Sequence, residues 1–239
     1  MQFIPLLLQD FRQMRRDPML LMCIVGAFLL MIAARFVPSV LEPLLARYGE
    51  FSIDDYELLL FNLPIFLIPL LIGMVCGFMM LDDRDERIVM IYAVTPIGKS
   101  GYIWMKLLLP FAAAVMLSVT ACVVIPSGSA SPLILAYICL LSGIQAVLGS
   151  LFLAAFASNK VEGLAYAKGL GICIAAPLAV SLIGPPYELL LAPMPAYWVS
   201  KLIVVQGAWH QLLAAIIGGV YHVILAYWLY RKYVRKLEL

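Results

Sequence analysis

"ELLLFNLPIFLIPLLIGMVCGFMML" occupies Glu57–Leu81 and carries a single charged residue, Glu57, at its edge. About 20 apolar residues in helical form are enough to cross the hydrocarbon core of a bilayer. In hydrocarbon no water is available to the backbone, so every N–H and C=O must be satisfied within the chain. The stretch is therefore a membrane-crossing helix. Five further segments meet the same requirement, at about 19–37, 103–126, 131–157, 164–184 and 208–230. The period-2 alternation of an outer-membrane barrel strand is absent.

The whole composition agrees with that reading. Of 239 residues, 64% are hydrophobic and 13% are charged, with a mean hydropathy of +1.02. Soluble domains sit nearer half apolar and a quarter charged. A core of ordinary size cannot hide this much apolar surface from water. The expected fold class is an all-α polytopic membrane protein of six transmembrane helices, one transmembrane domain over residues 1–239. No internal repeat, low-complexity segment or cleavable signal peptide is apparent. The lipid bilayer is its solvent, and no nucleic-acid partner is expected.

Lysine and arginine give the orientation. With the N-terminus inside, all but three of the 16 Lys and Arg residues fall in inner segments; Arg35, Arg47 and Lys201 are the exceptions. By the positive-inside rule both termini are cytoplasmic. Residues 1–16 form a distinct element. Phe3, Ile4, Leu7, Leu8, Phe11 and Met14 recur at helical spacing, with Gln9, Asp10, Arg12, Gln13, Arg15 and Arg16 opposite them. Such a helix lies in the membrane interface, and Asp17-Pro18 ends it. Outside, residues 38–56 hold Pro38, Pro43, Glu50, Asp54 and Asp55. The proline-broken, apolar stretch 185–207 reads as short re-entrant helices before the last span, or as a cap on the bundle.

Four patterns bear on chemistry. Gly98-Lys99-Ser100 ends like a phosphate-binding P-loop, but the position of the first glycine is Ala93, and Pro96 removes a backbone donor. No α/β domain surrounds it, so a nucleotide site is excluded there. In "LDDRDER" (81–87), Asp82, Asp83 and Asp85 could hold Mg²⁺ against an isoprenoid or phospholipid diphosphate. Enzymes of that kind use two facing acidic motifs, and the other Asp pair, Asp54-Asp55, falls on the opposite side. The run alone reads as a solvated helix end. Cys23, Cys76, Cys122, Cys139 and Cys173 lie singly in apolar runs and act as small hydrophobes. His210 and His222 are too far apart in sequence to share adjacent turns, and read as interfacial or packing residues.

Polar residues within spans are costly and tend to face a bundle interior. Asn62, Ser118, Thr120, Gln145 and Ser150 are the candidates, with helix–helix packing as the competing role. Such a weakly polar path suits a hydrophobic or amphipathic cargo better than an ion. Pro64, Pro69 and Pro177 should bend the second and fifth spans.

"LDDRDERIVMIYAVTPIGKSGYIWMKLLLP" (81–110) resembles the cytoplasmic loop between the second and third spans of ATP-binding-cassette (ABC) type-2 exporter permeases. There an acidic residue after the second span precedes a short helix that ends in threonine/serine-proline, and a lysine follows at the start of the third span; Lys106 matches it. "FASNKVEGLAYAKGLG" (156–171) resembles the family's inner loop after the fourth span, and "PMPAYWVSKL" (193–202) its outer re-entrant region. The likeness covers the whole chain and lies nearest the fluoroquinolone-type drug-export branch.

The resemblance implies a permease subunit that moves a drug, lipid or similar compound outward. It implies a cytoplasmic ABC ATPase subunit that carries ATP and Mg, with no cofactor and no enzymatic site in this chain. A second permease copy, or a related permease, would complete the path. The coupling element would be a helix around 85–94 within the loop 82–101. Asp85 and Glu86 stand at its start, Ile88, Ile91 and Tyr92 on one face, and Thr95-Pro96 at its stop. Asn62, Ser118 and Gln145 would border the substrate path. The alternatives are the Mg-dependent enzyme above and an ATP-independent secondary carrier.

Overall fold

The computed structural model describes residues 10, 12–45, 57–125, 130–183 and 185–238. Every regular element among them is helical. In chain order these are α1 (residues 12–16), α2 (Pro18–Leu45), α3 (Glu57–Asp85), α4 (Ile88–Ala93), α5 (Gly98–Val124) and α6 (Pro132–Phe156). They continue as α7 (Lys160–Leu170), a 3₁₀ turn (Gly171–Ile174), α8 (Ala175–Leu182), a second 3₁₀ turn (Tyr187–Leu191), α9 (Pro195–Val204) and α10 (Ala208–Glu238). Among the described residues, six helical stretches are long and apolar enough to cross a membrane. The fifth is composite, made of α7, the 3₁₀ turn and α8. The chain is a multi-pass membrane protein.

α6 is the axis of the bundle, packed against α3, α5 and α10. Small residues let the backbones of α3 and α6 touch. A Cβ on Gly73 would stand 2.7 Å from the Ala146 carbonyl, and one on Gly149 would stand 3.4 Å from the Gly73 Cα. Ser150 Oγ donates to the Gly73 carbonyl across this seam at 3.1 Å. In a bilayer, where apolar surface gains nothing by leaving lipid, such close backbone approach is a main source of helix association. α2 and α10 instead expose large apolar side chains, among them Phe28, Leu29, Phe36, Ile216, Val223 and Trp228.

α2 departs from the expected first span of 19–37. It runs through Pro38 and Pro43 to Leu45. Each proline removes one backbone donor, yet a long helix retains enough flanking hydrogen bonds to continue. Most of the interfacial helix read in residues 1–16, and the acidic cluster Glu50, Asp54 and Asp55, lie outside the described residues. The stretch before the last span folds into the second 3₁₀ turn and α9. Trp198 Nε1 donates to the Ala192 carbonyl at 2.9 Å, and buried Glu188 pairs with Lys201. Tyr197, Val199, Leu202 and Ile203 are buried there.

Basic and acidic groups that are distant in sequence converge at one end of the bundle. Lys160 reaches Asp17 at 2.6 Å and Asp82 at 3.1 Å, and Gln13 donates to Asp82 at 3.1 Å. Two cations cap α6. Arg84 donates to the carbonyls of Ala154, Ala157 and Ser158 at 2.7–3.3 Å, and Lys236 donates to those of Ala155 and Ala157 at 3.2 and 2.6 Å. The last carbonyls of a helix lack intrahelical donors and carry the negative end of its dipole, so cations are favoured there. Asn159 then starts α7: its Oδ1 accepts from the Glu162 N–H at 2.9 Å, while Glu162 Oε2 accepts from the Ser158 N–H at 2.7 Å. This is a reciprocal cap of the capping-box kind.

Candidate functional site

At the charged end, four residues form a buried node. Lys106 of α5 lies 2.5 Å from Asp83 of α3 and pairs with Asp10 as well. The Tyr102 hydroxyl donates to Asp83. Lys106 is 2% exposed, and both carboxylate side chains are 1% exposed. Two carboxylates face one lysine here. Burial pushes the Asp10 carboxyl above its ordinary range against the pull of Lys106, and Asp83 adds to the rise. The node ties Asp10 to α3 and α5.

The node corrects three readings of the sequence. The run 82–85 is not a solvated helix end: Asp83 is buried on Lys106, and Asp82 is engaged by Lys160 and Gln13. Nor do its three carboxylates converge as a Mg²⁺ set would, for each faces a different environment, and Asp85 is exposed. Lys106, read as one of the inner-face charges, lies inside the bundle. The physical reason is mutual. Carboxylates near the C-terminus of α3 oppose its dipole, and burying either sign alone is costly. Pairing them with lysines relieves both penalties.

α4 leaves the node as a short knuckle. α3 runs on to Asp85, so the helix is Ile88–Ala93 and not 85–94. Asp85 and Glu86 therefore belong to the end of α3 and the turn after it. Arg87 turns the corner with φ 57°, a left-handed conformation unusual for arginine. The expected face is divided. Val89 is buried, and Ile88 and Tyr92 pack inward, the Tyr92 ring 5.2 Å from that of Tyr102. Ile91 points out at 62% exposure, with Met90 and Val94 beside it at 56% and 88%. Thr95 Oγ1 donates to the Tyr92 carbonyl at 2.7 Å, and Pro96 follows. Gly98, at φ 67°, makes the return into α5.

Of the three candidate path residues, Asn62 is turned toward α8, its Nδ2 donating to Ser181 Oγ at 3.0 Å. Ser118 is buried on α5. Gln145 lines a cavity of about 310 Å³ between α3, α6, α10 and the segment 170–196. A larger groove, about 530 Å³, lies between α5, α6 and α10, with Trp104, Phe111, Ile144 and Tyr230 in its lining, and is almost wholly apolar.

Comparison with known proteins places these features. The family described as "Fluoroquinolones export permease protein Rv2686c-like" matches residues 10–230. The chain belongs to that family. Two relatives from Mycobacterium tuberculosis agree: "Fluoroquinolones export permease protein Rv2686c" of strain H37Rv and "Fluoroquinolones export permease protein MT2760" of strain CDC 1551 / Oshkosh. Each is 29% identical over 239 residues, covering 95% of this chain and 92% of its own length. No solved structure matches the chain significantly. As a member of this permease family, the chain is a multi-pass bacterial membrane protein. The match begins at Asp10 and takes in the node, the knuckle and the cavity-lining helices.

The Lys106 node was the element that sequence reasoning missed. A signal existed: Lys106 lies within the expected third span, where a lone charge needs a partner. Asp83 and Asp10, each just outside an apolar run, were the acidic residues available to meet it.

Proposed function

We propose that this permease exports a hydrophobic or amphipathic compound and is energised by a separate cytoplasmic ABC-type ATPase that carries the ATP and Mg²⁺. In this reading the charged end is cytoplasmic and both termini lie there, as the distribution of lysine and arginine favours. The ATPase docks on α4 and its flanks: Asp85 and Glu86 before it, Ile91 on it, Thr95-Pro96 after it. Ile88 and Tyr92 pass the movement inward. A second permease, identical or related, completes the path.

One observation carries the proposal. A six-residue helix holds its inner face on the core while Met90 and Ile91 on it, and Val94 just after it, stand exposed beside the exposed Asp85 and Glu86. A soluble partner would cover these apolar groups. The names of the relatives support the direction and the kind of cargo.

The test is co-purification of the tagged chain with its ATPase, with ATPase activity measured in the same preparation. Ile91→Asp should abolish association and leave the bundle folded. Undiminished association and activity in that variant would reject the docking site. Tyr92→Ala is a poorer probe, because Tyr92 packs inward against Tyr102.

A further inference from the structure

We propose that the groove between α5, α6 and α10 holds an acyl chain of an anionic phospholipid whose headgroup is drawn by Lys99 and Arg231. The lipid is a resident of the bilayer and not a cargo, so the inference does not depend on the export reading. Three observations carry it. The first is shape. α5 and α10 both pack on α6, and the trough of about 530 Å³ between them is walled by Leu107, Leu108, Ile144, Val147, Val223 and Ala226. On each helix the lining covers about seven positions, Trp104 to Phe111, Ile144 to Leu151 and Val223 to Tyr230, or about 10 Å of helical rise. That depth fits within one leaflet of a hydrocarbon core about 30 Å thick.

The second is the rim. Trp104 and Tyr227 are 65% and 63% exposed, and the Trp104 ring lies 5.7 Å from that of Tyr230. Tryptophan and tyrosine are enriched where hydrocarbon gives way to headgroups, so this end of the groove stands at headgroup level. The third is charge. Tyr230 also borders a smaller pocket, about 250 Å³, that contains Lys99 and Ser100. The Arg231 guanidinium lies 6.0 Å from the Tyr227 ring. Neither cation has an acidic partner among the described residues. Apolar trough, aromatic rim and cations thus follow one another in the order of a phospholipid's tail, glycerol and phosphate. Lys99 and Ser100, which imitate the end of a P-loop, would meet a phosphate from the lipid side. A second copy seated groove to groove would set like charges against each other, which disfavours it.

The assay is native mass spectrometry of the full-length chain released from detergent. It is titrated with palmitoyl-oleoyl phosphatidylglycerol and, separately, with phosphatidylcholine of the same chains, so the difference reads the headgroup alone. One saturable site is expected, tighter for phosphatidylglycerol. Lys99→Gln/Arg231→Gln should weaken phosphatidylglycerol about 25-fold, about fivefold for each cation, and leave phosphatidylcholine unchanged. Lys168→Gln removes an exposed charge on α7, away from the groove, and should change neither. Ala226→Trp fills the trough from α10 and should remove saturable binding of both lipids. Val147→Trp does the same from α6 should the first variant not fold.

Equal affinity of the wild type for the two lipids overturns the proposal, as does an undiminished preference in the double-cation variant. So does saturable binding that survives in a folded filled-groove variant. A loss in Lys168→Gln as large as in the double variant reduces the preference to overall charge and overturns the site. A wild-type dimer that Ala226→Trp dissociates, with lipid binding unaffected, assigns the groove to a second copy and also overturns it.

Discussion

Replacing Lys106 by methionine keeps most of the side chain's volume and removes its charge. Asp83 and Asp10 would then face each other at 1% exposure with no cation between them. Breaking a buried ion pair by removing one partner costs about 3–5 kcal/mol, chiefly because the remaining charge is left uncompensated. Tyr102 still donates to Asp83, which holds the loss to that range and not beyond it. At roughly 2–4 °C per kcal/mol for a chain of this size, the apparent melting temperature should fall by about 6–20 °C. The assay is thermal unfolding of the purified chain in mild detergent, read by tryptophan fluorescence. The double variant Lys106→Met/Asp83→Asn removes one stranded charge and should recover about half of the loss, since neighbouring sites in one network are not additive. A single variant as stable as wild type would refute the reasoning. It would mean that Asp83 and Asp10 reach water or protons freely once the lysine is gone.

Three further outcomes are expected. Gly73→Leu should block the α3–α6 seam and prevent accumulation of folded protein in the membrane, because even a Cβ would stand 2.7 Å from the Ala146 carbonyl. The check is yield of monodisperse protein on size exclusion. Ser150→Ala at the same seam should cost about 1 kcal/mol, seen as a modest fall in melting temperature, through loss of the bond to Gly73. Asp17 is partly buried, which alone would raise its carboxyl, but bonds from Lys160 and the Met19 and Leu20 N–H groups hold it below its ordinary value of 3.8. Its stabilisation is therefore full above that pH and lost as pH falls through the lowered value. Asp17→Asn should melt below wild type at pH 7, with the gap closing as the pH drops below about 3.8.

The spans were legible because the bilayer imposes one rule, an apolar run of fixed length, and the 57–81 stretch obeys it without help from any neighbour. The knuckle was half legible. Thr95-Pro96 and Gly98 announce a stop and a return through backbone constraints that act locally. The start was misplaced because nothing local tells α3 to continue to Asp85, and the corner is turned at Arg87 and not at a glycine. Which face of α4 looks inward was also not legible. Ile88, Ile91 and Tyr92 all carry apolar surface, and only packing in the bundle, against the cluster that includes Tyr102 of α5, selects Ile88 and Tyr92. The node fails the same way: Asp10 and Lys106 are 96 positions apart, and pairing at that distance is a property of the packed bundle.

The buried node and the 310 Å³ cavity both border α3, which gives them a mechanical relation. Between Pro69 and Asp85 the helix contains no proline, and at 1.5 Å per residue that is a rod of about 24 Å. Asp83, at one end of the rod, is locked to Lys106 and so to the knuckle through Tyr102 and Tyr92. Phe66 and Leu70, at the other end, line the cavity and flank Pro69. Kinks concentrate at proline, where one backbone bond is missing. A displacement of the charged end is therefore carried with little bending as far as Pro69, and the first place at which α3 can yield is the cavity wall. Pro69→Ala should stiffen that point. In the docking scheme proposed above it should leave ATPase association intact while lowering transport coupled to it, whereas Ile91→Asp should lose both together.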